Sequence, residues 1–339
     1  MDIDFDNQPT LTLDAAILAS LRPSTAPPRP VGVDPNSTWS GERARTFDEA
    51  RGRPDAPAFA EVLVAEESAL AEAEGLDHQG WEASALGRYR EARVCHERAM
   101  ERRLRADGAD PQTLRSLCSL GAVAFHQGRV DEGEWHFSRA RGLAESSGLA
   151  GSPQMAMILN NLGVIARVRG DVAAALAHYE AALAIKVGRL GWEHTSVAVT
   201  LINLGRLAER AGEERQALGH FAQARAIAEI TEGVAGPTLA AALLGLGRLH
   251  LRRGASAPAL VALERALRIR EAIASTPAQL AAARVLTSMA LARRRPDEAR
   301  ALVLRARREY LSSESARADN VEAMTAWIAL LDARLKRGC

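Results

Sequence analysis

The side chains best suited to chemistry in this chain are three histidines, His136, His178 and His220, spaced 42 residues apart. An imidazole can ligate a metal or carry a proton near neutral pH. Zinc, however, needs its nitrogen donors about 2.0–2.1 Å away, whereas side chains one helical layer apart are separated by about 8–10 Å. Three such rungs cannot converge on one ion unless the middle layer collapses. A half-exposed structural position beside Phe137, Tyr179 and Phe221 is therefore expected. No His-x-x-x-His or Cys-x-x-Cys pair occurs, nor a phosphate-binding loop or a dinucleotide fingerprint. The residues thus predict no catalytic set, no metal and no cofactor: the chain does not read as an enzyme. Cys95, Cys118 and Cys339 are an odd number in a long chain, which argues against a disulfide framework. Cys95 and Cys118 fall inside helical patterns and are expected as small buried residues.

The elements that position these residues are helical. Aromatics are only 4% of the 339 residues, and Ala, Leu and Arg dominate. All three are strong helix formers, whereas a β-sandwich would need more β-branched and aromatic residues. Of 43 basic residues only Lys186 and Lys336 are lysines, a bias that suggests a GC-rich bacterial genome. The net charge of +1 hides −8 on residues 1–75 and +9 on the remainder. A mildly basic body with an acidic head lacks the concentrated basic stripe of a nucleic-acid binder. Met1 to Asp6 is acidic where a signal peptide is basic, and no long apolar run suggests a membrane span. A cytoplasmic location is expected.

One unit recurs along the chain. Leu-Gly stands at Leu120-Gly121, Leu162-Gly163, Leu204-Gly205 and Leu246-Gly247, each 42 residues on. A second glycine follows seven positions later: Gly128, Gly170, Gly212 and Gly254. Gly80 and Gly87 carry the pattern back one copy, and Leu286-Thr287 carries it forward without its glycines. Each of the six copies reads as two helices. In the third, Ile158, Leu159, Leu162 and Ile165 mark one apolar stripe. Gly170 then closes the helix, Asp171 caps the next, and Ala175, Tyr179 and Ala182 form its packing face. Ala217, Phe221 and Ala224 fill the same slots in the fourth copy; Ala259, Leu263 and Ala266 fill them in the fifth.

These residues resemble the tetratricopeptide repeat, with Leu-Gly in its first helix and Ala-x-x-x-Phe/Tyr-x-x-Ala in its second. The 42-residue period is similar to the longer repeats of kinesin light chain and related bacterial proteins. Leu190 to Ala198, leading to Asn203-Leu204-Gly205, is the stretch most like them. The resemblance covers roughly residues 70–310. It departs where Leu117, Leu159, Leu201 and Leu243 replace an early tryptophan, and where Pro111, Pro153 and Pro237 open units instead of closing them. The resemblance implies an all-α, right-handed α-solenoid of about six helix-turn-helix repeats, since a single hairpin cannot bury its own stripe. Residues 56–315 would form the solenoid, with 56–74 as an additional helix, a degenerate first cap. Residues 316–339 would form a C-terminal capping helix, with Asp319-Asn320 as its cap and Val321, Met324, Ile328 and Leu331 as its stripe.

In that family the first helix of each repeat lines a concave groove that holds a protein or peptide. The resemblance places Phe125, Asn160, Asn161, Arg167, Asn203, Arg206, Arg210, Arg248 and Arg252 there. Asn161 and Asn203 match an asparagine that holds a peptide backbone, and an amide both donates and accepts. The five arginines form a band relieved only by Glu209, which favours an acidic partner through bidentate contacts to carboxylates. Asp77 and Trp81 occupy the slots where a chaperone-type carboxylate clamp would have Lys and Asn. The expected function is a scaffold or adaptor. The alternative is a peptide-sensing regulator that changes superhelical pitch. Residues 1–55, with Pro23, Pro27, Pro28, Pro30 and Pro35, read as a disordered acidic tail. Its Asp2, Asp4, Asp6 and Asp14 flank Ile3, Phe5 and Leu11, which makes it a candidate intramolecular occupant of the groove.

Overall fold

The computed structural model describes residues 56–105, 111–273, 275–314 and 316–338. The tail expected over residues 1–55 lies outside them. Among the described residues thirteen helices follow in order: α1 (Ala56–Ala85), α2 (Tyr89–Arg105), α3 (Pro111–His126), α4 (Val130–Ser146), α5 (Pro153–Arg169), α6 (Val172–Leu190), α7 (Thr195–Arg210), α8 (Glu214–Thr231), α9 (Pro237–Arg252), α10 (Ser256–Ala272), α11 (Pro277–Leu291), α12 (Pro296–Leu311) and α13 (Ala318–Gly338). Each helix packs on the next, pairing α1 with α2 through α11 with α12, and α13 covers the end of the stack. No strand occurs among the described residues. This is an α-solenoid.

Local chemistry sets the hairpins. Proline opens α3, α5, α9, α11 and α12, where its missing N–H costs no helical bond. Ser152 Oγ accepts from Met155 N at 3.2 Å, and Asp171 Oδ1 accepts from Ala174 N at 3.0 Å. Gly170, at φ +84°, turns the chain in the left-handed region between the two helices of the third repeat. In Leu190 to Ala198, Gly191 turns at φ +79° and His194 Nδ1 accepts from Ser196 N to open α7.

The glycine of the Leu-Gly pair has a different purpose. A Cβ on Gly163 would lie 2.6 Å from Tyr179 Cε1, and one on Gly205 2.9 Å from Phe221 Cε1. In these two repeats the aromatic ring of the second helix rests on the bare Cα of the first, and both rings are fully buried. Ala175, Ala182, Ala217 and Ala224 flank those rings with no exposed surface, so the two backbones approach closely. Where the glycine is lost, at Thr287, the ring slot holds the smaller Val303, and the Thr287 hydroxyl donates to Ala283 O at 2.8 Å.

Two local expectations differ from what is found. Residues 56–74 do not form a separate cap: α1 is one 30-residue helix that runs through Gly75, whose missing Cβ meets no neighbour. Helix α13 begins at Ala318, ahead of Asp319-Asn320, and Asn320 Nδ2 donates to Tyr310 Oη rather than capping the helix. Met324 and Leu331 are buried, and Trp327 Nε1 donates to Ser288 Oγ at 2.8 Å, tying the cap to the last repeat.

The winding brings the two ends of the solenoid together. Arg90 N, in the first turn of α2, donates to Glu314 Oε2 at 2.8 Å across 224 residues of sequence. Gly87 lies against Thr276 and Pro277, and Gly128 faces Arg317. The first helices touch one another along the inside. As a result α7 is buried on every side from Ser196 to Gly205.

Candidate functional site

The nine residues placed in the groove from sequence divide into two groups. Phe125, Asn160, Asn161, Arg167 and Asn203 are at most 3% exposed. Arg206 and Arg248 are half-buried, and Arg210 and Arg252 are exposed. The structure therefore brings the asparagines into a closed inner wall and leaves arginines at its edge.

Inside that wall Asn160 and Asn203 belong to a polar chain. Asn203 Nδ2 donates to Asn160 Oδ1 at 3.0 Å, Thr200 Oγ1 donates to the same oxygen at 3.4 Å, and Lys186 Nζ donates to Thr200 Oγ1 and Ser196 O, each at 3.0 Å. Asn160 thus accepts from two donors on the following repeat and locks the third repeat to the fourth. Asn161 is different. Among the described residues neither its amide oxygen nor its nitrogen has a hydrogen-bond partner, although it is 1% exposed. A buried polar group left in that state costs about 1–3 kcal/mol. Arg167 lies beside Tyr179, whose hydroxyl pKa is pushed up by burial and drawn partly back by Arg167 and Arg206.

The arginine band is organised by an acid. Glu209 is 7% exposed. Arg248 Nε donates to its Oε1 at 2.8 Å and Nη2 to its Oε2 at 2.5 Å, a bidentate fork. Arg252 Nη1 stands 3.6 Å from the same carboxylate. One acid on α7 thus engages two arginines on α9. Arg210 is exposed and makes no ion pair with the described residues. In sequence Glu209 reads only as relief within the band; its burial depends on the stacking of α7 on α9 and leaves no local signature.

A second buried cluster lies in the first repeat. Asp77 Oδ1 meets His96 Nδ1 at 2.7 Å, Arg103 Nη1 donates to Asp77 Oδ2 at 2.6 Å, and Ser116 Oγ donates to that oxygen at 3.4 Å. All four residues are at most 1% exposed. Trp81 Nε1 donates to Ser119 Oγ at 3.0 Å, and the Arg115 guanidinium stacks 4.5 Å from the Trp81 ring centroid. The cluster is sealed, and it joins the first repeat to the second. In sequence Asp77 and Trp81 stand only as evidence against a clamp. Their signal was register: His96 stands in the ring slot of Phe137 and Tyr179, resting on Gly80.

His136, His178 and His220 are half-buried on α4, α6 and α8. Burial lowers the pKa of each; Arg141 adds to this at His178, and Glu132 opposes it at His136. Among the described residues no three His, Cys, Asp or Glu side chains are grouped to hold a metal, and no helix is long and apolar enough to cross a membrane.

Stacked hairpins with a glycine under each ring define a helical-repeat protein. Residues 112–186, 154–230 and 196–272 match the tetratricopeptide-repeat family model. Those residues, 112–272, are tetratricopeptide repeats, here with a 42-residue period. Among solved structures the chain is similar to BtubC (BKLC) from P. vanneervenii: 22% identity, 70% of this chain and 91% of that one covered, TM-score 0.50. A Rap protein complexed with competence and sporulation factor matches at 16% identity over 79% of this chain and 77% of that one, TM-score 0.56. The hetero-tetramer Cut9-Hcn1 matches at 15% identity over 78% of this chain and 46% of that one, TM-score 0.54. At these identities the likeness is one of fold. The sequence matches none of the curated proteins.

Proposed function

We propose that this chain is a non-catalytic protein-interaction scaffold that takes an acidic, extended partner segment along the inner edge of its fourth and fifth repeats. The observation that carries the reading is the arginine ladder there. Arg206 and Arg248 stand 42 residues apart, as do Arg210 and Arg252, so the period of the fold repeats a cation on one edge. Glu209 serves Arg248 and Arg252, while Arg210 remains exposed without an ion pair to the described residues. Guanidinium groups set one layer apart suit carboxylates carried on an extended chain. The test is an array of extended peptides of graded acidity, probed with the full chain and with R210E/R252E. Retention should rise with acidity and be lost in the variant. Equal retention of acidic and basic peptides would overturn the proposal.

A second reading is favoured by Asn161 and by the contact between the ends. A sensor that opens to admit a peptide would hold an unpaired backbone-reading amide inside a closed winding. Asn161 fits that description, and Glu314 on Arg90 N is the contact that would have to part. The Rap protein, similar in fold, was solved in complex with a competence and sporulation factor, which is a precedent for a bound factor in this fold. The acidic residues 1–55 are a further proposed occupant, acting within the chain. Deleting them should then raise affinity for the acidic peptides; unchanged affinity removes this part. X-ray scattering separates scaffold from sensor: a scaffold keeps its radius of gyration when the peptide binds, and a sensor changes it.

A further inference from the structure

One slot on the second helix of every repeat points at the repeat that follows. It holds Arg103, Ala144, Lys186, Ala228, Arg270 and Tyr310 in the six copies. All six are buried. In three of them a polar head is matched by the next first helix. Arg103 donates to Ser116 Oγ, Lys186 to Thr200 Oγ1, and Tyr310 Oη accepts from Arg317 N and Asn320 Nδ2. Arg270 is the exception. The register position of Ser116 and Thr200 is held by Ala282, and that of Asp77 and Asn160 by Leu244. The cation has been kept while both polar partners have become apolar.

Arg270 is 4% exposed, its Nε is sealed without an acceptor, and it makes no hydrogen bond or ion pair with the described residues. The nearby acids are committed elsewhere. Glu271 and Glu309 hold Arg284 and Arg305, and Glu232 Oε2 accepts from Thr238 N and Leu239 N to cap α9. The charge nearest in effect is a like one. Burial and then Arg206 draw the Arg270 pKa down to about 10, with Glu232 opposing. A buried charge left without a counter-ion is strongly unfavourable. An external anion placed there would meet a desolvated guanidinium with a second cation close by.

We propose that Arg270, with Arg206 near it, receives one carboxylate of the acidic partner segment where the fifth repeat meets the sixth. This deepens the reading of the chain as an acidic-segment binder and rests on it. A carboxylate is the chemistry the site selects, since it can accept from two guanidinium nitrogens at once.

The test uses the full chain and disodium succinate as the probe. Melting temperature is followed against sodium chloride of equal ionic strength and against neutral succinamide. A saturable rise with succinate alone is expected. Arg270→Leu, which replaces an unpaired buried charge with an apolar group, should melt at the same or a higher temperature and show no succinate response. Arg206→Ala keeps Arg270 in place and should weaken the succinate midpoint about tenfold, the loss of one charge-assisted contact. Should Arg270→Leu not fold, the Arg206→Ala midpoint decides, and no change in it overturns the site. A wild-type protein that ignores succinate, or an Arg270→Leu protein that keeps the response, also overturns it. Partner-borne and free carboxylates are told apart by competition: a peptide with one Glu should displace succinate, and its Gln counterpart should not. R210E separates the two proposals. Peptide capture lost there with the succinate response intact tests the edge and leaves Arg270 standing, whereas the reverse loss condemns only the Arg270 site.

Discussion

Changing three glycines of similar sequence context to alanine should give effects of different sign. In a helix interior alanine normally stabilises over glycine by about 0.5–1 kcal/mol, because the unfolded chain loses freedom. Gly219, in α8, is exposed, and a Cβ there meets nothing within 4 Å. Gly219→Ala should gain that full amount. At Gly163 the new Cβ would stand 2.6 Å from Cε1 and 2.7 Å from Cδ1 of Tyr179, a ring with no exposed surface and no room to swing. Overpacking of that kind costs about 1–3 kcal/mol. The clash outweighs the propensity gain, so Gly163→Ala should lose roughly 0.5–2 kcal/mol, or roughly 1–4 °C in melting temperature. Gly170, at φ +84°, should lose about 1–2 kcal/mol for a purely backbone reason. A cycle isolates the ring. In a Tyr179→Val background, which copies the Thr287 and Val303 pair, the cost of Gly163→Ala should vanish, a coupling of about 1 kcal/mol or more. Thermal and urea melts of these single variants, the double variant and the natural protein are sufficient. If Gly163→Ala stabilises as Gly219→Ala does, or if its cost persists in the Tyr179→Val background, the ring does not rest on that Cα and the packing account fails.

Other outcomes can be checked with little material. His136, His178 and His220 have pKa values lowered by burial, so the unfolded chain binds more protons than the fold as pH drops. The stability they contribute is present above the ordinary histidine pKa of about 6.5 and is lost as pH falls through their lowered values. Urea midpoints at pH 7.5 and 5.5 should differ in that direction, and the triple change to Gln should flatten the difference. Cys118 has no exposed surface and its thiol is pushed up to about 12, so it should resist thiol reagents until the protein unfolds. Early labelling of Cys118 in the native protein would contradict that burial. Glu314→Ala removes the acceptor of Arg90 N and should cost about 1 kcal/mol, as for a lost helix cap. It should also enlarge the radius of gyration in solution scattering; an unchanged radius would show that Glu314 does not hold the ends together.

Much of the fold could be read from sequence because its determinants are local and repeat. Gly170 and Asp171 announce a turn and a cap by residue type alone, and the Gly163–Tyr179 pairing recurs often enough to be seen without coordinates. The closed winding had no such signal. Each hairpin rotates slightly against the last, and only the sum over six sets Arg90 beside Glu314. That sum also turned Asn160, Asn161 and Asn203 from groove residues into buried ones. The two asparagines of the resemblance differ in fate because Asn203 finds Asn160 across the repeat boundary, whereas Asn161 finds no partner among the described residues. The Asp77, His96 and Arg103 cluster was hidden because Asp77 read only as a departure from a clamp lysine, and the pairing of His96 and Arg103 with it depends on the stacking of α1 on α2. Arg270 could have been found by register, since Arg103, Lys186 and Arg270 share one slot 83 and 84 residues apart. Its lost partners, Leu244 and Ala282, are visible only once that slot is known to face them.

A charge-exchange binding measurement addresses the interaction itself. Fluorescence anisotropy would follow a labelled glutamate-rich peptide and its lysine-rich counterpart against the full chain and against R210E/R252E. The glutamate peptide should bind the natural protein and lose affinity with rising salt, and the lysine peptide should be taken up only by the reversed protein. Undiminished binding of the glutamate peptide to R210E/R252E would mean that the arginine edge of the fourth and fifth repeats does not select the partner.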